Sequence, residues 1–553
     1  MAGVEIPAEC VIKIEDKEIK YSISSLQLDQ KIDGHHQLLV GLRRLAKSGS
    51  ESEFIESSEI TGFLGKVLSL TITPKGGLVP EGFALKFAGV VIEVRMENTI
   101  DAINQIILSA YSPTYLLDTA EKNAFYMDKG LKEISDLVLK NYSGKIELGN
   151  MNIPSSAKYK FCVQYKESDY QFLCRLAERE GLWSFYDGNR FTISSTFGDQ
   201  TVELVWPKSL GSFSLGLRCE QQIYRTEVYN YQEKKIYSQN TKSVPNQSNP
   251  GTLSKIPLDS SNKLLTNPSY WDWPKLALDP KELDKYLAVK KAESGCKLVL
   301  GKGQSNIPSV RVGSKIQIRR MKDLDGQYLV TTVTHHFDQS GTYHNLFEVV
   351  PVDLAYPQIR RERPPISGLQ IGVITDNADP ENMGRVKVRL LWNNQQEETP
   401  WIRVLSLHAG KDRGWFCLPE AGDEVLVGFD RDHPEIPVVV GSLYNKVDAP
   451  IVETKNDKND IKTFITKGGN RIFIKDTDSQ EEITITTKEG KNQISLKMGD
   501  TPQITLKSDG KILLDAKEII LKAKKTLSCS SDDKTEVKGK TGVKISGNRV
   551  DLN

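Results

Sequence analysis

The sequence lacks the features that send a protein to a membrane or a polyanion. Its 553 residues contain 73 lysines and arginines against 72 aspartates and glutamates, for a formal net charge of +1. A balance this even gives no global field that would attract nucleic acid or an anionic membrane. No stretch approaches the roughly 20 apolar residues of a membrane-spanning helix, and the start, Met1 to Pro7, has neither the basic nor the apolar segment of a secretory signal. We expect a protein that is cytoplasmic during assembly and needs a dedicated machine to leave the cell.

Cysteine is scarce and scattered. The chain has seven cysteines, an odd number, and no two of them form a C-x-x-C pair. In a protein made in a reducing compartment this pattern predicts free thiols rather than disulfides or a zinc cluster. The cysteines lie at positions 10, 162, 174, 219, 296, 417 and 529.

The common enzyme motifs are also missing. No G-x-S-x-G, H-E-x-x-H or G-x-x-x-x-G-K-[ST] pattern occurs, and the glycine-containing segment 301–306 lacks the context of a phosphate loop, so a plain turn is favoured. His335, His336 and His344 form the one local group of histidines and could face one another on a hairpin to bind a metal. No acidic residue or cysteine is in register with them, so ordinary strand residues are favoured. The sequence therefore predicts no catalytic residue, no cofactor and no bound metal.

A repeat occupies the last part of the chain. From about Asn470 to Asn553 an apolar-x-apolar pair returns at intervals of 11, 11 and 10 residues, then 8, 7, 8, 8, 8 and 7. Short period-2 segments separated by turn residues at a steady interval are typical of a β-solenoid. The second apolar residues of the pairs are Ile474, Ile485, Leu496, Leu506, Leu514, Leu521, Cys529, Val537, Ile545 and Leu552.

The eight-residue interval bears on the number of chains. Eight extended residues span at most about 26 Å, too little for one chain to turn around a packed aliphatic core. A lone chain would leave each core side chain in water and forfeit roughly 1.5–3 kcal/mol for each. We therefore predict an intertwined trimeric β-helix over 463–553; the alternative is an ordinary antiparallel meander with hairpins of similar length. The predicted trimer core includes Ile504, Leu506, Ile512, Leu514, Leu521, Val537 and Ile545.

The outside of the predicted rod is polar. Lys522, Lys524 and Lys525 could form a basic girdle, but outward positions of an alternating strand are polar in any case, so a solvated face is favoured. After Phe473 the chain contains no Phe, Trp or Tyr. This argues against a glycan-binding solenoid adhesin, which would display aromatic side chains.

The earlier part of the chain is predicted to be mostly strands. Alternating patterns at 10–44, 67–73 and 87–94 indicate them. Residues 239–270, rich in Ser, Asn, Pro and Lys, predict a long surface loop. The charged, proline-rich segment 360–366 predicts an interdomain linker.

Three helices are predicted from capping signals. One lies at 130–142 with Asp128 as its N-cap, and another begins at Pro280 and stops at Gly295. The best-marked helix begins at Ser168, which forms a capping box with the residue three positions later.

The best-marked helix also carries a family resemblance. The stretch Glu167-Ser-Asp-x-x-Phe-Leu-x-Arg-Leu-x-Glu-x-Glu-Gly181 has a buried stripe, a glycine stop and an aromatic strand after it. It resembles the hub portion of VgrG spike proteins and of related contractile-phage tail hubs.

A second block carries the same resemblance. Residues 371–392, which include Asp379-Pro-Glu-Asn-Met-Gly-Arg385, and residues 419–445 resemble the OB-type barrel of that family, and their short alternating strands independently predict a small closed barrel. We predict a mainly β protein with a β-barrel hub and a few helices. The predicted parts are a tail-hub-like domain of two small β-barrels plus helices at 1–366, an OB-type barrel at 367–446, a linker at 447–462 and a trimeric β-helix needle at 463–553.

The resemblance implies a homotrimeric, membrane-puncturing spike at the tip of a contractile injection or secretion machine. Its partners would be a hexameric Hcp-like tube protein, baseplate proteins, effector cargo and a PAAR-type tip protein, with the target membrane contacted transiently and no nucleic acid. The machine would secrete or inject it without a signal peptide. Because the repeat persists to the last residues, we expect the tip protein to contact Val550, Leu552 and Asn553. The alternative is a cell-wall or metal-dependent hydrolase embedded in a tail-like particle.

Overall fold

The protein is predominantly β-structure, as the sequence predicts. The computed structural model describes residues 5–44, 61–75, 83–97, 105–154, 158–198, 200–245, 249–271, 280–359, 361–392, 397–451 and 458–551. The chain divides into two compact units, Met1–Leu443 and Tyr444–Asn553. Each unit has its own sheets.

The first unit begins with the part that we term the hub, which extends to residue 366. Its strands are β1 (Ile6–Ile14), β2 (Lys17–Glu18), β3 (Tyr21–Lys31), β4 (Gln37–Arg44), β5 (Val67–Pro74), β6 (Leu85–Glu97), β7 (Gln105–Tyr111), β8 (Glu121–Lys129), β9 (Tyr159–Ser168), β10 (Trp183–Tyr186), β11 (Phe191–Ser194), β12 (Thr201–Val205), β13 (Leu210–Leu217), β14 (Tyr224–Asn230), β15 (Lys235–Asn240), β16 (Ser269–Tyr270), β17 (Val299–Ser305), β18 (Lys315–Arg319), β19 (Gly326–Asp338) and β20 (Thr342–Pro351).

One large sheet organises the hub. Its strand order is β12-β18-β19-β3-β4-β7-β6-β5-β1-β20-β17-β13, and β19 also pairs directly with β20. β19 and β20 therefore close the sheet on itself. The result is a closed ring of eight strands in the order β19, β3, β4, β7, β6, β5, β1 and β20. The strands β12, β18, β17 and β13 extend beyond the two shared strands. The predicted strands at 10–44, 67–73 and 87–94 correspond to strands of this ring where the structure describes them, apart from the short β2, which pairs with β1 beside the ring.

Period-2 alternation gives the ring its core. On β4, Leu38, Val40 and Leu42 are completely buried, whereas Leu39 between them is exposed. A separate cluster lies against the shared strands and includes Val333 of β19. Both clusters are filled by side chains of the same chain.

Four α-helices lie within the described residues of the hub. They are α1 (Leu131–Leu139), α2 (Asp169–Arg179), α3 (Thr252–Leu264) and α4 (Pro280–Gly295). The predictions of α2 and α4 are confirmed. In α2 the Ser168 hydroxyl accepts the Gln171 amide N–H at 3.1 Å, and Gly181 follows the helix with φ +71°.

The predicted N-cap of α1 is wrong by two residues. Asp128 lies in β8, which continues to Lys129 in order to pair with Tyr159. The cap is Gly130, whose amide N–H donates to the Glu133 carboxylate at 2.8 Å.

The predicted loop at 239–270 is also wrong, because it contains α3. The buried face of this helix consists of Ser254, Pro257 and Ser261 rather than large aliphatic residues. The Ser261 hydroxyl accepts the amide N–H of Glu220 at 3.1 Å, which attaches the helix to the hub. A helix that docks through small residues has no apolar stripe for sequence reasoning to detect.

The OB-type barrel follows within the same unit. Its strands are β21 (Gln370–Asp376), β22 (Lys387–Leu390), β23 (Arg403–Val404), β24 (Ala409–Gly410), β25 (Arg413–Gly414), β26 (Glu424–Phe429) and β27 (Pro437–Ser442). Five of them form a sheet in the order β22-β21-β26-β27-β23, and β24 pairs with β25.

The segment that joins the hub to the barrel is packed at both ends. Ile366 is completely buried in the barrel core, and the Arg361 guanidinium pairs with the Glu178 carboxylate of α2. Phe125 and Tyr165 of the hub belong to the same hydrophobic cluster as the barrel core. These contacts make the predicted linker at 360–366 an ordered connection over its described residues.

Within its described residues, the second unit contains five strands, and residues 509–551 follow them without a strand or helix. The strands are β28 (Ile461–Ile465), β29 (Arg471–Lys475), β30 (Glu482–Thr486), β31 (Asn492–Lys497) and β32 (Gln503–Ser508), paired in chain order and all antiparallel. The antiparallel meander, left open as the alternative, is therefore what this chain forms at 461–508, where the repeat intervals are 11, 11 and 10. The eight-residue intervals follow in residues 511–551.

Candidate functional site

The meander of the second unit carries its aliphatic side chains on one face. Across β29 to β32, Ile472 stands opposite Ile485, Ile485 opposite Ile494, and Ile494 opposite Leu506. A parallel row consists of Ile474, Ile483, Leu496 and Ile504. All of them except Ile474 are exposed. We call this surface the apolar ladder.

The opposite face of the meander carries the half-buried Phe473 and several polar side chains. Thr484 and Ser495 are opposite one another and buried. The Thr484 hydroxyl donates to the Glu482 carboxylate at 2.7 Å, and the Lys497 ammonium lies 3.4 Å from the same carboxylate. Hydrogen bonding lowers the pKa of Glu482, chiefly through Thr484. The meander thus satisfies its polar face within the chain and leaves its aliphatic face in water, the reverse of an ordinary half-buried sheet.

Residues 511–551 extend the exposed aliphatic surface. No residue in this continuously described stretch lies in a strand or helix, and every one is exposed. The seven residues predicted as trimer core all have more than half of their surface in water, from 53% for Ile512 to 75% for Ile504. Cys529 is exposed as well. Burial of each aliphatic side chain would contribute roughly 1.5–3 kcal/mol of stability, and the single chain does not obtain this contribution.

The residues predicted to contact a tip protein are only partly within the described chain. Val550 is exposed. Leu552 and Asn553 lie outside the described residues. The tip contact therefore stays a prediction.

The three histidines lie on the paired strands β19 and β20 and pack there as strand residues. His336 and His344 are paired across β19 and β20 with their rings stacked at 5.0 Å. His335 is completely buried and contacts the Tyr343 hydroxyl at 2.7 Å. Burial lowers the pKa of His335 to about 3. Within the described stretches, no group of three or more His, Cys, Asp or Glu side chains is arranged to hold a metal.

A hydroxyl, an imidazole and a carboxylate converge in the hub, which the sequence did not suggest. His35 contacts the Thr114 hydroxyl at 2.9 Å through Nδ1 and the Asp118 carboxylate at 3.1 Å through Nε2. The order matches that of a nucleophile, a base and an orienting acid. However, Thr114 is 1% exposed and its hydroxyl also bonds that of Ser112 at 2.8 Å, so no substrate carbonyl can reach it. This network fixes the turn after β7, and its members are too far apart in sequence to form a motif.

Buried thiols in the hub have raised pKa values. All seven cysteines are free, as predicted. Burial raises the pKa of Cys296, and it raises that of Cys162 to about 12. A thiol with a raised pKa remains protonated at neutral pH and is a poor nucleophile.

Two family models match the chain. Residues 50–341, more than half of it, match the phage tail baseplate hub (GPD) family. Residues 370–444 match the type VI secretion system/phage-baseplate injector OB domain. The first match covers β5, β6, β7 and β19 of the strand ring together with the four α-helices, and the second covers the barrel strands β21 to β27.

Curated relatives match somewhat more than half of the chain at low identity. The actin cross-linking toxin VgrG1 of Vibrio cholerae is 25% identical over 363 residues, which is 59% of this chain and 32% of that protein. The type VI secretion system spike protein VgrG5 of Pseudomonas aeruginosa is 24% identical over 394 residues, 62% of this chain and 47% of that protein. The chain thus spans about a third to a half of the length of these relatives.

Solved structures share the fold. The E. coli c3393 protein, described as a type VI secretion component similar to the T4 tail proteins gp27 and gp5, has a TM-score of 0.54 at 14% identity and covers 78% of this chain and 99% of its own. A chain of the half-lidded Francisella PdpA-VgrG complex has a TM-score of 0.60 at 8% identity, covering 92% of this chain and 89% of its own. None of the described helices is long and apolar enough to cross a membrane. With more than half of its length matching the hub family and the OB domain following in order, the chain belongs to the phage tail baseplate hub family, as a VgrG-type spike protein of a contractile injection system.

Proposed function

We propose that three copies of this chain form the membrane-puncturing spike at the tip of a contractile injection machine. The observation that supports it most is the apolar ladder together with the exposed aliphatic side chains of 511–551. A single chain leaves these side chains in water, whereas the hub buries large hydrophobic clusters of its own. Three copies wound together would place them around one axis and recover their burial.

The spike's strength follows from the same arrangement. In the proposed rod, strands of residues 511–551 run across the axis and pair with strands of neighbouring chains. The hydrogen bonds then lie along the axis, so an axial load is spread over many of them in parallel. The work of puncture would come from the contracting machine and not from chemistry in this chain.

The partners follow from the family. The hub would seat on a hexameric Hcp-like tube protein within the baseplate, and residues near Val550 would bind a PAAR-type tip protein. Effector cargo would travel with the spike. The protein would be assembled in the cytoplasm and leave it through the machine, touching the target membrane only in passing.

The alternative function, a cell-wall or metal-dependent hydrolase, finds no support in the described residues. The one triad-like arrangement is closed to substrate, and the histidine group is packed into strands. We propose that the chain acts as a structural component and not as an enzyme.

Light scattering on the purified full-length chain tests this function. We expect the mass of three chains at micromolar concentration. A single-chain mass, with tryptophan fluorescence typical of a folded hub, would overturn the proposed spike, because every tryptophan lies at or before Trp415 and reports the first unit alone.

A further inference from the structure

The barrel carries an ordered hairpin that holds apolar side chains in water. β24 and β25 pair, the Trp415 amide donates to the His408 carbonyl at 2.8 Å, and the Ser406 hydroxyl donates to the Trp415 carbonyl at 2.5 Å. On this fixed frame Leu407 is 90% exposed and Phe416 is 78% exposed. A rigid loop that presents a leucine and a phenylalanine to solvent is typical of a contact surface. We term Leu405, Leu407 and Phe416 the hairpin patch.

A glycine lets the phenylalanine take its position. Gly384 has φ +69°, and a Cβ at this residue would lie 3.1 Å from Cε2 of Phe416. Another residue would be strained by the backbone conformation and would press on the ring. The Phe416 side chain is therefore set over Gly384 and points to solvent without being loose.

The same barrel has a second apolar surface on the outside of its sheet. The runs Val425-Leu-Val and Val438-Val-Val do not alternate with polar residues, a pattern typical of strands covered on both faces. The inward side chains Val425, Val427 and Val439 fill the barrel core. Outward-facing Val440 is exposed.

The outward residues form one patch. A Cβ at Gly428 would lie 3.2 Å from both Leu369 and Val440, so these two side chains flank the same point. The Leu391 amide donates to the Ile371 carbonyl at 3.3 Å, and both side chains are exposed. We term Leu369, Ile371, Leu391 and Val440 the strand patch.

Two different apolar patches on one barrel suit a ring. A two-fold dimer joins a patch to its own copy, whereas a head-to-tail ring joins two different patches of each subunit. We propose that the hairpin patch of one chain packs on the strand patch of the next, closing a collar of three barrels. This inference rests on the proposed trimer and names the second surface that holds it together.

Chain connectivity favours a second copy as the occupant. Only residues 444–460 separate the barrel unit from β28. Chains joined through their second units would hold their barrels at an effective concentration on the order of millimolar, because the connecting segment is short. At that concentration even a weak contact between patches forms, and no outside protein can easily compete for it.

The native cysteines provide the test. Cys417 adjoins Phe416 in the hairpin patch, Cys529 lies in the proposed rod core, and Cys219 lies in the hub, and all three are exposed in the single chain. The intact protein is treated with a maleimide and the labelled peptides are quantified by mass spectrometry, with denatured protein as the fully labelled reference. We expect rapid labelling of Cys219 and at least tenfold slower labelling of Cys417 and Cys529.

The outcomes separate the two proposals. Fast labelling of Cys417 with Cys529 protected would overturn the collar and leave the trimer standing, whereas fast labelling of both would overturn the trimer as well. Ile371→Asp, in the strand patch, should speed the labelling of Cys417 to the rate of Cys219 while Cys529 stays protected. Lys411→Asp, at the tip of the hairpin, is the matched control and should leave Cys417 protected. If Cys417 stays protected in Ile371→Asp, the strand patch is not its cover and the inference fails.

Discussion

The hub and the second unit use the same alternating sequence pattern with opposite results. On β4 of the hub, the apolar residues Leu38, Val40 and Leu42 are completely covered by their own chain. On β31 the apolar residues Ile494 and Leu496 are exposed, while Ser495 between them is buried. Alternation therefore identifies the apolar face of a strand but does not say whether the same chain covers it.

The difference separates folding from assembly. Side chains buried within the hub contribute to the stability of one chain. Side chains of the ladder and of 511–551 contribute only when other copies cover them. Mutations in the two regions should therefore change different observables.

The largest effect is expected from a charge in the proposed rod core. Leu514 is 60% exposed in the single chain, so Leu514→Asp should leave the hub folded with an unchanged melting temperature. In the trimer three carboxylates would meet without partners, and burying each costs several kcal/mol. We expect light scattering to report single chains.

The matched control is a neighbouring outward residue. Lys511→Asp introduces the same charge at a position of the opposite phase and should preserve the trimer. A trimer that survives Leu514→Asp would mean that the phase of the rod core is wrong.

Acid should destabilise the first unit and spare the second. All seven histidines lie at or before His433. Burial lowers the pKa of His36 to about 3, of His335 to about 3 and of His433 to about 2. The native state keeps these rings neutral while the unfolded chain protonates them below its ordinary pKa of about 6.5, so stability is lost as the pH falls from about 6.5 towards 3.

The expected size is on the order of 2 kcal/mol per buried histidine at pH 5, or roughly 6 kcal/mol for the three. Urea unfolding followed by tryptophan fluorescence measures it. His433→Asn should reduce the pH dependence of stability by about one proton, because one buried histidine is removed. The variant should still fold, since Asn can accept the Glu435 amide N–H that His433 Nδ1 accepts at 3.0 Å. Exposed His408→Asn should leave it unchanged, and a stability that does not change between pH 7.5 and pH 5 would contradict the neutral, buried state of these rings.

A core truncation in the hub should affect folding without affecting assembly. Phe172 of α2 is completely buried and stacks on Tyr126 at 5.3 Å. Phe172→Ala should lower the free energy of unfolding by about 3–5 kcal/mol, seen as a lower urea midpoint for tryptophan fluorescence. At a temperature where the variant remains folded, light scattering should still give three chains. Loss of the trimer in a folded Phe172→Ala protein would show that the two regions are not independent.

The smallest effect is expected on the outside of the rod. Lys522 has the opposite phase to the adjacent Leu521, so Lys522→Ala should change the melting temperature of the trimer very little, by less than about 0.5 kcal/mol in free energy. Leu521→Ala should lower it clearly, since the side chain is removed three times. Equal effects of the two substitutions on the melting temperature would contradict the assignment of Leu521 to the inside of the rod and Lys522 to its outside.

Local signals in the sequence predicted the elements that depend on local chemistry. The capping box of Ser168 and Gln171 and the proline start of α4 were confirmed because their hydrogen bonds and backbone preferences involve residues a few positions apart. The family resemblance on the same helix and on the barrel was confirmed by the hub and OB matches. α3 was missed because its docking face consists of Ser254, Pro257 and Ser261.

Contacts between distant parts of the chain could not be predicted. His35 meets Thr114 and Asp118 only because β3, β4 and β7 are neighbours in the ring. In the second unit, the repeat intervals of 11 and 10 residues could not identify residues 461–508 as a meander. Hairpins and solenoid turns of that length have the same alternation of apolar and polar residues. The phase of the aliphatic residues was nevertheless readable, because it depends only on period 2.

Amide hydrogen exchange of residues 511–551 in the intact protein tests the central claim most directly. In the single chain this stretch contains no strand or helix, so its amides should exchange at the rate of an unstructured peptide. The proposed trimer pairs them with neighbouring chains, and we predict exchange at least a hundredfold slower than in the Leu514→Asp variant. Exchange at the unstructured rate in the native protein, with the hub amides still protected, would contradict the account.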